Sequence, residues 1–231
     1  MDKLLGSMGY GSRTEMARLG KAGGIALDGV DLTDVSKRIA VTPDLPARME
    51  IDRQPLDPVP GLVMMLHKPL GMTCSRKEDG ALVYDVLPPR WRRRDPAIST
   101  IGRLDKATTG LLLLTDDGAL IHRLTSPKHH VRKVYEVTCK HALAADTVTR
   151  LLGGVVLDDD PAPVHAVACE ATGPSSLRMT LEEGRYHQVK RMVAAVGNRV
   201  EALHRSAVGN WPLPPDLAPG QWRWADAAAR G

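Results

Sequence analysis

A carboxylate, an aromatic ring and a group of cations stand at three separate places where they could act on a sugar or a base. The carboxylate is Asp105, which lies between turns at residues 102–103 and 108–110 and precedes an apolar run. A carboxylate needs no base to activate it, so Asp105 could attack a sugar or base carbon directly. The same setting is typical of an Asp that accepts local backbone hydrogen bonds, and taken alone it favours that structural role.

The aromatic ring and the cations also allow two interpretations. Tyr135 follows Arg132 and Lys133, which is typical either of a half-buried strand residue or of a ring that stacks on an extruded base beside phosphate-binding cations. Residues 184–191 carry basic side chains at a predicted helix start. They indicate either a solvated helix face or a cation that pairs with a carboxylate and keeps it ionised. These features by themselves do not define a reaction.

Composition narrows the class of protein. The 231 residues are 43% hydrophobic and 25% charged, with no Phe, which is typical of a soluble globular chain. The formal net charge of +4 permits a polyanionic partner without requiring one. The leucine run at residues 111–114 is too short to span a bilayer and the N-terminus lacks a signal pattern, so we expect a cytoplasmic protein without a membrane partner.

Neither the cysteines nor the histidines predict a metal centre. The cysteines are odd in number and far apart, which disfavours a disulfide framework and favours a reducing compartment. The histidines that could be considered as ligands have no zinc-site spacing; they are His122, His129, His130 and His187. A metal-dependent hydrolase is therefore the least supported alternative.

The elements that must position the candidate residues are many strands and few helices, which predicts an α+β fold. Ser12 and Glu15 form a capping box that starts a helix. A stripe with i, i+3, i+4, i+7 spacing, residues 189, 192, 193 and 196, predicts a second helix with one buried face. Strands are predicted at residues 25–27, 62–66, 111–114, 134–139 and 178–181, and a further helix at residues 119–124.

Prolines at positions 55, 58 and 60 predict a linker and a domain boundary between residues 58 and 59. Residues 1–58 contain 8 basic and 9 acidic residues, whereas residues 59–231 contain 23 basic and 18 acidic residues. The predicted organisation is a small, nearly neutral N-terminal domain followed by a larger, mildly basic one.

Several ordered sequence blocks resemble the pseudouridine synthase family that modifies ribosomal RNA. They cover about residues 62–225, and the block that contains Asp105 looks like the family signature. The blocks are Lys68-Pro69-Leu70-Gly71, Gly102-Arg103-Leu104-Asp105 with Thr109-Gly110-Leu111-Leu112, Lys133-Val134-Tyr135, Glu183-Gly184-Arg185-Tyr186-His187-Gln188-Val189-Lys190-Arg191-Met192, and Leu203-His204-Arg205. The resemblance implies a catalytic domain at residues 59–231, built on a mixed, mainly antiparallel sheet with flanking helices.

The resemblance also implies catalytic roles for three residues. Asp105 is the nucleophile or a proton-transfer partner, Tyr135 packs on the uracil, and Lys190 is the basic partner that keeps Asp105 charged, with Arg185 and Arg191 as alternates. The family breaks the bond between uracil and ribose, rotates the base and rejoins it through carbon. It requires no metal and no nucleotide cofactor.

Other matched positions imply substrate contacts. Arg103 contacts the flipped nucleotide or its phosphate, Leu203 forms an apolar wall, and Lys68 braces the site or touches RNA. Lys133, Arg185 and Arg191 complete the expected RNA-binding set in this domain. Residues 1–58, through Arg13 and Arg18 among others, resemble the small RNA-binding domain named after ribosomal protein S-four.

The resemblance is to the small-subunit, or RsuA, type of the family, because of Thr108-Thr109-Gly110 and the segment at residues 125–130. It implies uridine 516 of 16S rRNA as the substrate, either in free RNA or in an assembling small subunit, and nothing suggests more than a monomer. Two alternatives stay open: a large-subunit (23S) rRNA pseudouridine synthase, and a non-catalytic RNA-binding ribosome assembly factor.

Overall fold

The chain folds into two units, which a computed structural model describes over residues 1–77, 79–158 and 160–225. The first unit is not continuous in sequence, because it combines Met1–Leu62 with two later segments, Leu87–Ser99 and Thr115–Asp117. The second unit combines Val63–Val86, Thr100–Leu114 and the described chain from Gly118 onward. The boundary that the sequence suggests between residues 58 and 59 stays a prediction.

The first unit begins with the predicted capped helix. Ser12 Oγ accepts a hydrogen bond from the Glu15 amide at 3.2 Å, and Glu15 Oε2 accepts one from the Ser12 amide at 2.7 Å, so the capping box is confirmed. The elements are α1 (Asp2–Ser7), α2 (Arg13–Lys21), β1 (Ile25–Leu27), β2 (Val30–Asp31), α3 (Leu45–Arg48), β3 (Met49–Ile51), β4 (Gln54–Pro55) and a 3-10 helix at Pro89–Arg93. The strands form an antiparallel sheet of order β2-β1-β3-β4.

The second unit is built on a sheet of nine strands among the described residues. Its nine strands are β5 (Val63–Lys68), β6 (Ser99–Ile101), β7 (Thr108–Thr115), β8 (Lys133–Cys139), β11 (Ala168–Gly173), β12 (Ser176–Leu181), β13 (Val200–Val208), β14 (Trp211–Pro212) and β15 (Trp222–Trp224). Two further strands, β9 (Val155–Leu157) and β10 (Asp160–Val164), form a separate antiparallel pair. The main path of the large sheet has the order β11-β12-β8-β13-β7-β5-β15, with β14 beside β13 and β6 beside β7. The helices are α4 (Gly118–Thr125), α5 (Thr147–Gly153) and α6 (Gln188–Ala195), with 3-10 helices at Val83–Val86 and Pro127–His129.

The mixed, mainly antiparallel character of this sheet is confirmed. β13 pairs antiparallel with β8 and parallel with β7. The stripe of α6 is also confirmed, because Val189, Met192, Val193 and Val196 are all buried in one hydrophobic cluster. Burial of that stripe sets the rotation of α6, and therefore the direction of its polar residues.

A glycine permits the close approach of the parallel strands β7 and β13. Gly110 has φ +109°, and a Cβ placed on it would lie 2.3 Å from the Arg205 carbonyl oxygen and 2.5 Å from its amide nitrogen. Only glycine allows β7 to approach β13 so closely. Leu203 pairs with Thr108 on one side and with Val137 on the other. The end of the Asp105 loop therefore lies beside the middle of the sheet.

A buried ion pair joins the three segments of the first unit. Arg94 Nη2 lies 2.9 Å from Asp116 Oδ2 and donates to the Pro58 carbonyl at 2.9 Å, while the Gly61 amide donates to Asp116 Oδ1 at 2.7 Å. Both charged side chains are 1% exposed. The proline-rich segment predicted as a linker is thus held by a desolvated charge pair.

We expect Arg94→Met to lower the free energy of unfolding by about 3–5 kcal/mol, because it leaves the Asp116 carboxylate buried without its cation. The exposed pair between Arg178 and Glu136 supplies the control, since Arg178→Ala should cost less than about 1 kcal/mol. Urea unfolding followed by circular dichroism measures both. Equal losses of unfolding free energy in the two variants would contradict the conclusion that the buried Arg94–Asp116 pair stabilises the first unit.

Candidate active site

A cavity of about 280 Å³ in the second unit brings together most of the residues singled out from the sequence. The Asp105 loop, the start of α6 and the central strands of the sheet supply its walls. Seven of the expected site residues line it: Arg103, Asp105, Lys133, Tyr135, Arg185, Lys190 and Leu203. Lys68, Arg191, Arg13 and Arg18 do not.

The Asp105 carboxylate is paired with a lysine that lies 85 positions later in the chain. Lys190 Nζ donates to Asp105 Oδ2 at 2.6 Å, and His187 Nε2 lies 3.4 Å from Oδ1. Asp105 and Lys190 are each about one-third exposed. A charge-assisted hydrogen bond of this length fixes the carboxylate at the cavity wall while leaving it accessible from the cavity.

The turn before α6 places Lys190 and His187. His187 has φ 50°, a left-handed conformation that ends the turn and starts the helix at Gln188. The buried Gln188 side chain accepts from the Arg185 amide at 2.9 Å and donates to Glu183 Oε1 at 2.6 Å. Because α6 buries its apolar stripe, Lys190 faces the Asp105 loop.

The sequence allowed three cations as partners of Asp105, and Lys190 is the one whose side chain donates to the Asp105 carboxylate in the structure. Arg185 lines the cavity, but its Nε donates to Glu183 Oε2 at 3.2 Å. Arg191 lies outside the cavity and its Nη1 donates to the Tyr186 carbonyl at 3.3 Å. The two alternates to Lys190 therefore lack the required geometry.

Tyr135 and Leu203 stand side by side on one face of the sheet. Tyr135 of β8 is directly opposite Arg205 of β13, and Leu203 precedes Arg205 by two residues, so its side chain points to the same face. Both Tyr135 and Leu203 are buried, at 9% and 7% exposure. The Tyr135 hydroxyl has no hydrogen-bond partner in the described part of the chain. An aromatic and aliphatic surface therefore faces the ion pair.

Lys68 lies beneath the Asp105 loop with no exposed surface. Its ammonium donates to the carbonyls of Thr108 at 2.8 Å, Pro69 at 3.0 Å and Lys106 at 3.5 Å. Burial lowers the pKa of Lys68, although the nearby Cys74 and Asp105 oppose that shift. Of the two roles expected for Lys68, bracing the site fits this position, whereas RNA contact requires exposure that the residue lacks.

The remaining expected RNA contacts divide between cavity and surface. Lys133 is half-buried and its ammonium donates to the Val131 carbonyl at 2.8 Å. Burial and the neighbouring Arg205 both lower the pKa of Lys133. Arg103 is exposed at the cavity wall. Arg13 and Arg18 are exposed on α2 of the first unit.

Sequence reasoning missed two residues of this site. His187 was considered only as a metal ligand, yet it contacts Asp105, and its ring stacks on the exposed ring of Tyr186 at 3.9 Å. Arg205, at 2% exposure, lines the cavity and donates from Nε to the Leu111 carbonyl at 2.9 Å. Both stand in matched sequence blocks, but only the long-range packing shows what they contact.

The described residues contain no group of three or more His, Cys, Asp or Glu side chains that could hold a metal ion. Within the same ranges, no helix is long and apolar enough to cross a membrane. The cavity thus combines a lysine-paired carboxylate with an aromatic and aliphatic surface on a mixed sheet, an arrangement that suits an extruded base.

The fold and the site define an isomerase of the pseudouridine synthase class. The family model described as RNA pseudouridylate synthase matches residues 62–195, and the chain belongs to this family.

Two relatives and one solved structure match nearly the whole length of the chain. The chain is 40% identical to ribosomal small subunit pseudouridine synthase A of Yersinia pestis over 96% of its own length and 93% of the relative. It is 39% identical to an uncharacterized RNA pseudouridine synthase, YtzG, of Bacillus subtilis (strain 168), with the same two coverages. A solved structure described as that of a pseudouridylate synthase matches 99% of this chain and 96% of its own, with 30% identity and a TM-score of 0.69. The name of the Yersinia pestis relative supports the small-subunit type, whereas the other two matches are named as pseudouridine synthases without a subunit.

We expect Lys68→Met to lower kcat for pseudouridine formation at least about tenfold and to leave RNA affinity within about twofold, because it removes the donor that holds three loop carbonyls. Stability should fall by about 1–3 kcal/mol from the unsatisfied carbonyls. Single-turnover kinetics and RNA binding, measured well below the melting temperature, separate the two effects. Weakened RNA binding with an unchanged kcat would instead assign Lys68 to RNA contact.

Proposed function

We propose that this protein isomerises one uridine of 16S rRNA, uridine 516, with Asp105 as the nucleophile. The observation that carries the proposal is the ion pair of Asp105 and Lys190 at the wall of a cavity that also contains Tyr135 and Leu203. The small-subunit names of relatives such as those of Yersinia pestis and Escherichia coli (strain K12) support the choice of RNA.

The target uridine enters the cavity after leaving its base stack, because its reacting atoms are shielded inside a helix. The uracil ring then packs on Tyr135, with Leu203 as the apolar wall beside it. Arg103, exposed at the cavity wall, contacts the flipped nucleotide or its phosphate. Base–aromatic stacking contributes about 1–3 kcal/mol and makes up part of the cost of unstacking.

Asp105 attacks at the ribose or the base while the bond between uracil N1 and C1′ breaks. The released uracil rotates and its C5 bonds to C1′, while the transient bond to Asp105 breaks and returns the free carboxylate. C5 loses a proton and N1 gains one, so no electrons are exchanged with a cofactor. The Tyr135 hydroxyl, which has no partner among the described residues, is available for that proton movement. Lys190 holds Asp105 in place, and His187 supports its second oxygen.

The remaining expected contacts concern the RNA backbone. Lys133, Arg185 and Arg191 flank the site and are candidates for phosphate contacts in the second unit. Residues 1–58 act as an S-four-like RNA-binding domain through Arg13 and Arg18, both exposed on α2. We propose that the protein works as a monomer in the cytoplasm, where ribosomal subunits assemble.

Cells that lack the protein should lose pseudouridine at one 16S position, and the wild-type chain should restore it. Asp105→Asn should lower turnover at least about 1,000-fold, because the amide is no longer a nucleophile. The matched control is Asp146→Asn, an exposed carboxylate with only a 3.9 Å contact to Arg150. Carbodiimide-based primer extension over both rRNAs reads the result.

Restoration of the 16S signal by Asp105→Asn would sink the nucleophile assignment. Loss of a 23S signal instead would move the substrate to the large subunit. No change at any rRNA position would leave a binding factor as the better description.

We expect Lys190→Met to lower kcat about 100- to 1,000-fold, since the charge beside the reacting carboxylate is lost, while Lys190→Arg keeps part of the activity. RNA affinity should stay within about twofold of wild type, because Lys190 acts on Asp105 rather than on the RNA backbone. Lys140→Met, at an exposed lysine, is the control. Full kcat in Lys190→Met would contradict the role of Lys190.

A further inference from the structure

A second group of cations takes no part in the chemistry proposed above. The segment Leu87–Ser99 contains four arginines within five residues, at positions 90, 92, 93 and 94, and only one acidic residue, Asp95. Although it follows residues of the second unit in sequence, it belongs to the first unit. Its central part is the 3-10 helix Pro89–Arg93.

Asp57 anchors this segment through side-chain hydrogen bonds. Arg90 donates from both Nε and Nη2 to the Asp57 carboxylate at 2.8 Å, and the Trp91 indole donates to Oδ2 at 2.8 Å. The Arg90 guanidinium lies 4.5 Å from the ring centroid of Tyr10. Bidentate pairing and a buried indole fix the segment, with Trp91 only 4% exposed.

The backbone strengthens this anchor. The Asp95 amide donates to the Ser7 carbonyl at 2.7 Å. Gly9 has φ +85°, and a Cβ on it would lie 2.5 Å from the Arg90 carbonyl oxygen. The segment is therefore packed directly against the turn between α1 and α2.

The four arginines differ in exposure and in their contacts. Arg90 and Arg94 pair with the carboxylates of Asp57 and Asp116, and Arg92 and Arg93 both lie at the exposed surface. Arg93 has no hydrogen-bond or ion-pair partner within the described ranges, and it lines a cleft with Tyr10, Asp52 and Gln54 among others. A fixed backbone thus presents the Arg93 guanidinium, which pairs with no other residue in the described part of the chain.

Arg93 is close to the first turn of α2. The pKa of Glu15 is lowered, chiefly by its hydrogen bonds with Ser12 and further by the charges of Arg18 and Arg93. Arg18 is exposed on the same helix. Arg18 and Arg93, which come from two distant parts of the sequence, therefore both act on the same side chain, Glu15.

We propose that Arg92 and Arg93, together with Arg18, form a surface of the first unit that binds the phosphate backbone of ribosomal RNA outside the catalytic cavity. The proposal rests on the proposed function, because it takes rRNA as the partner. Exposed guanidiniums on a rigid backbone suit phosphate oxygens, and such contacts add affinity without reading sequence. Residues 1–58 have 8 basic and 9 acidic residues and therefore no excess of positive charge. Arg92 and Arg93 add positive charge to the first unit from another part of the sequence.

The experiment compares the full-length wild type with Arg93→Ala and Arg92→Ala/Arg93→Ala on a 16S rRNA transcript free of protein. Binding is measured by filter retention between about 50 and 200 mM salt, where each lost phosphate contact should reduce the slope of log K against log salt by about 0.9. At about 0.1 M salt this corresponds to roughly 5- to 10-fold weaker binding per arginine. Arg199→Ala, which removes an exposed arginine of the second unit, is the control.

We expect kcat at saturating RNA to be unchanged in both variants, and Arg93→Lys to keep most of the affinity. Wild-type affinity and salt slope in Arg92→Ala/Arg93→Ala would overturn the proposal, as would a loss equal to that of Arg199→Ala. Weaker binding only to the assembling particle, with normal binding to naked RNA, would overturn it in favour of a protein partner. The binding assay does not depend on turnover, so it separates this proposal from the proposed function. If the wild type forms no pseudouridine but its salt slope still depends on Arg93, the proposed function is wrong and the RNA-binding surface is retained.

Discussion

The parallel pairing of β7 with β13 is the constraint on which the site depends. It joins the strand that follows Asp105 to the strand that follows α6, so that residues about 85 positions apart in sequence meet within 2.6 Å. The pairing requires glycine at position 110, where any side chain would collide with the Arg205 backbone. Because β13 also pairs with β8, the same strand sets Leu203 and Tyr135 on one surface.

The loop that carries Asp105 is held from two sides by lysines with different environments. Lys68 is fully buried, and leaving its ammonium without partners would cost several kcal/mol, so its three carbonyl contacts are needed for it to stay charged. Lys190 is partly exposed and contacts the carboxylate itself. One lysine shapes the backbone, and the other positions the reacting group.

Charge counted along the sequence and charge presented by the fold differ in this protein. Residues 1–58 are almost neutral, but the first unit also includes Leu87–Ser99, which brings four arginines. Two of them are consumed in pairs with Asp57 and Asp116, and the ion pair of Arg94 is buried. Arg92 and Arg93 are exposed within one short segment of that unit, and a sum of charges over residues 1–58 cannot reveal this.

The sequence by itself determined the features that local patterns encode. The capping box starts α2 and the apolar stripe of α6 is buried, since both depend on spacing within one element. The ordered blocks predicted the family, and pointed to Asp105, Tyr135 and Lys190 as a group. Only the tertiary structure decided that Lys190 rather than Arg185 or Arg191 contacts Asp105, that Lys68 is a buried brace, and that residues 87–99 join the first unit. These outcomes depend on long-range packing and desolvation, which no local pattern encodes.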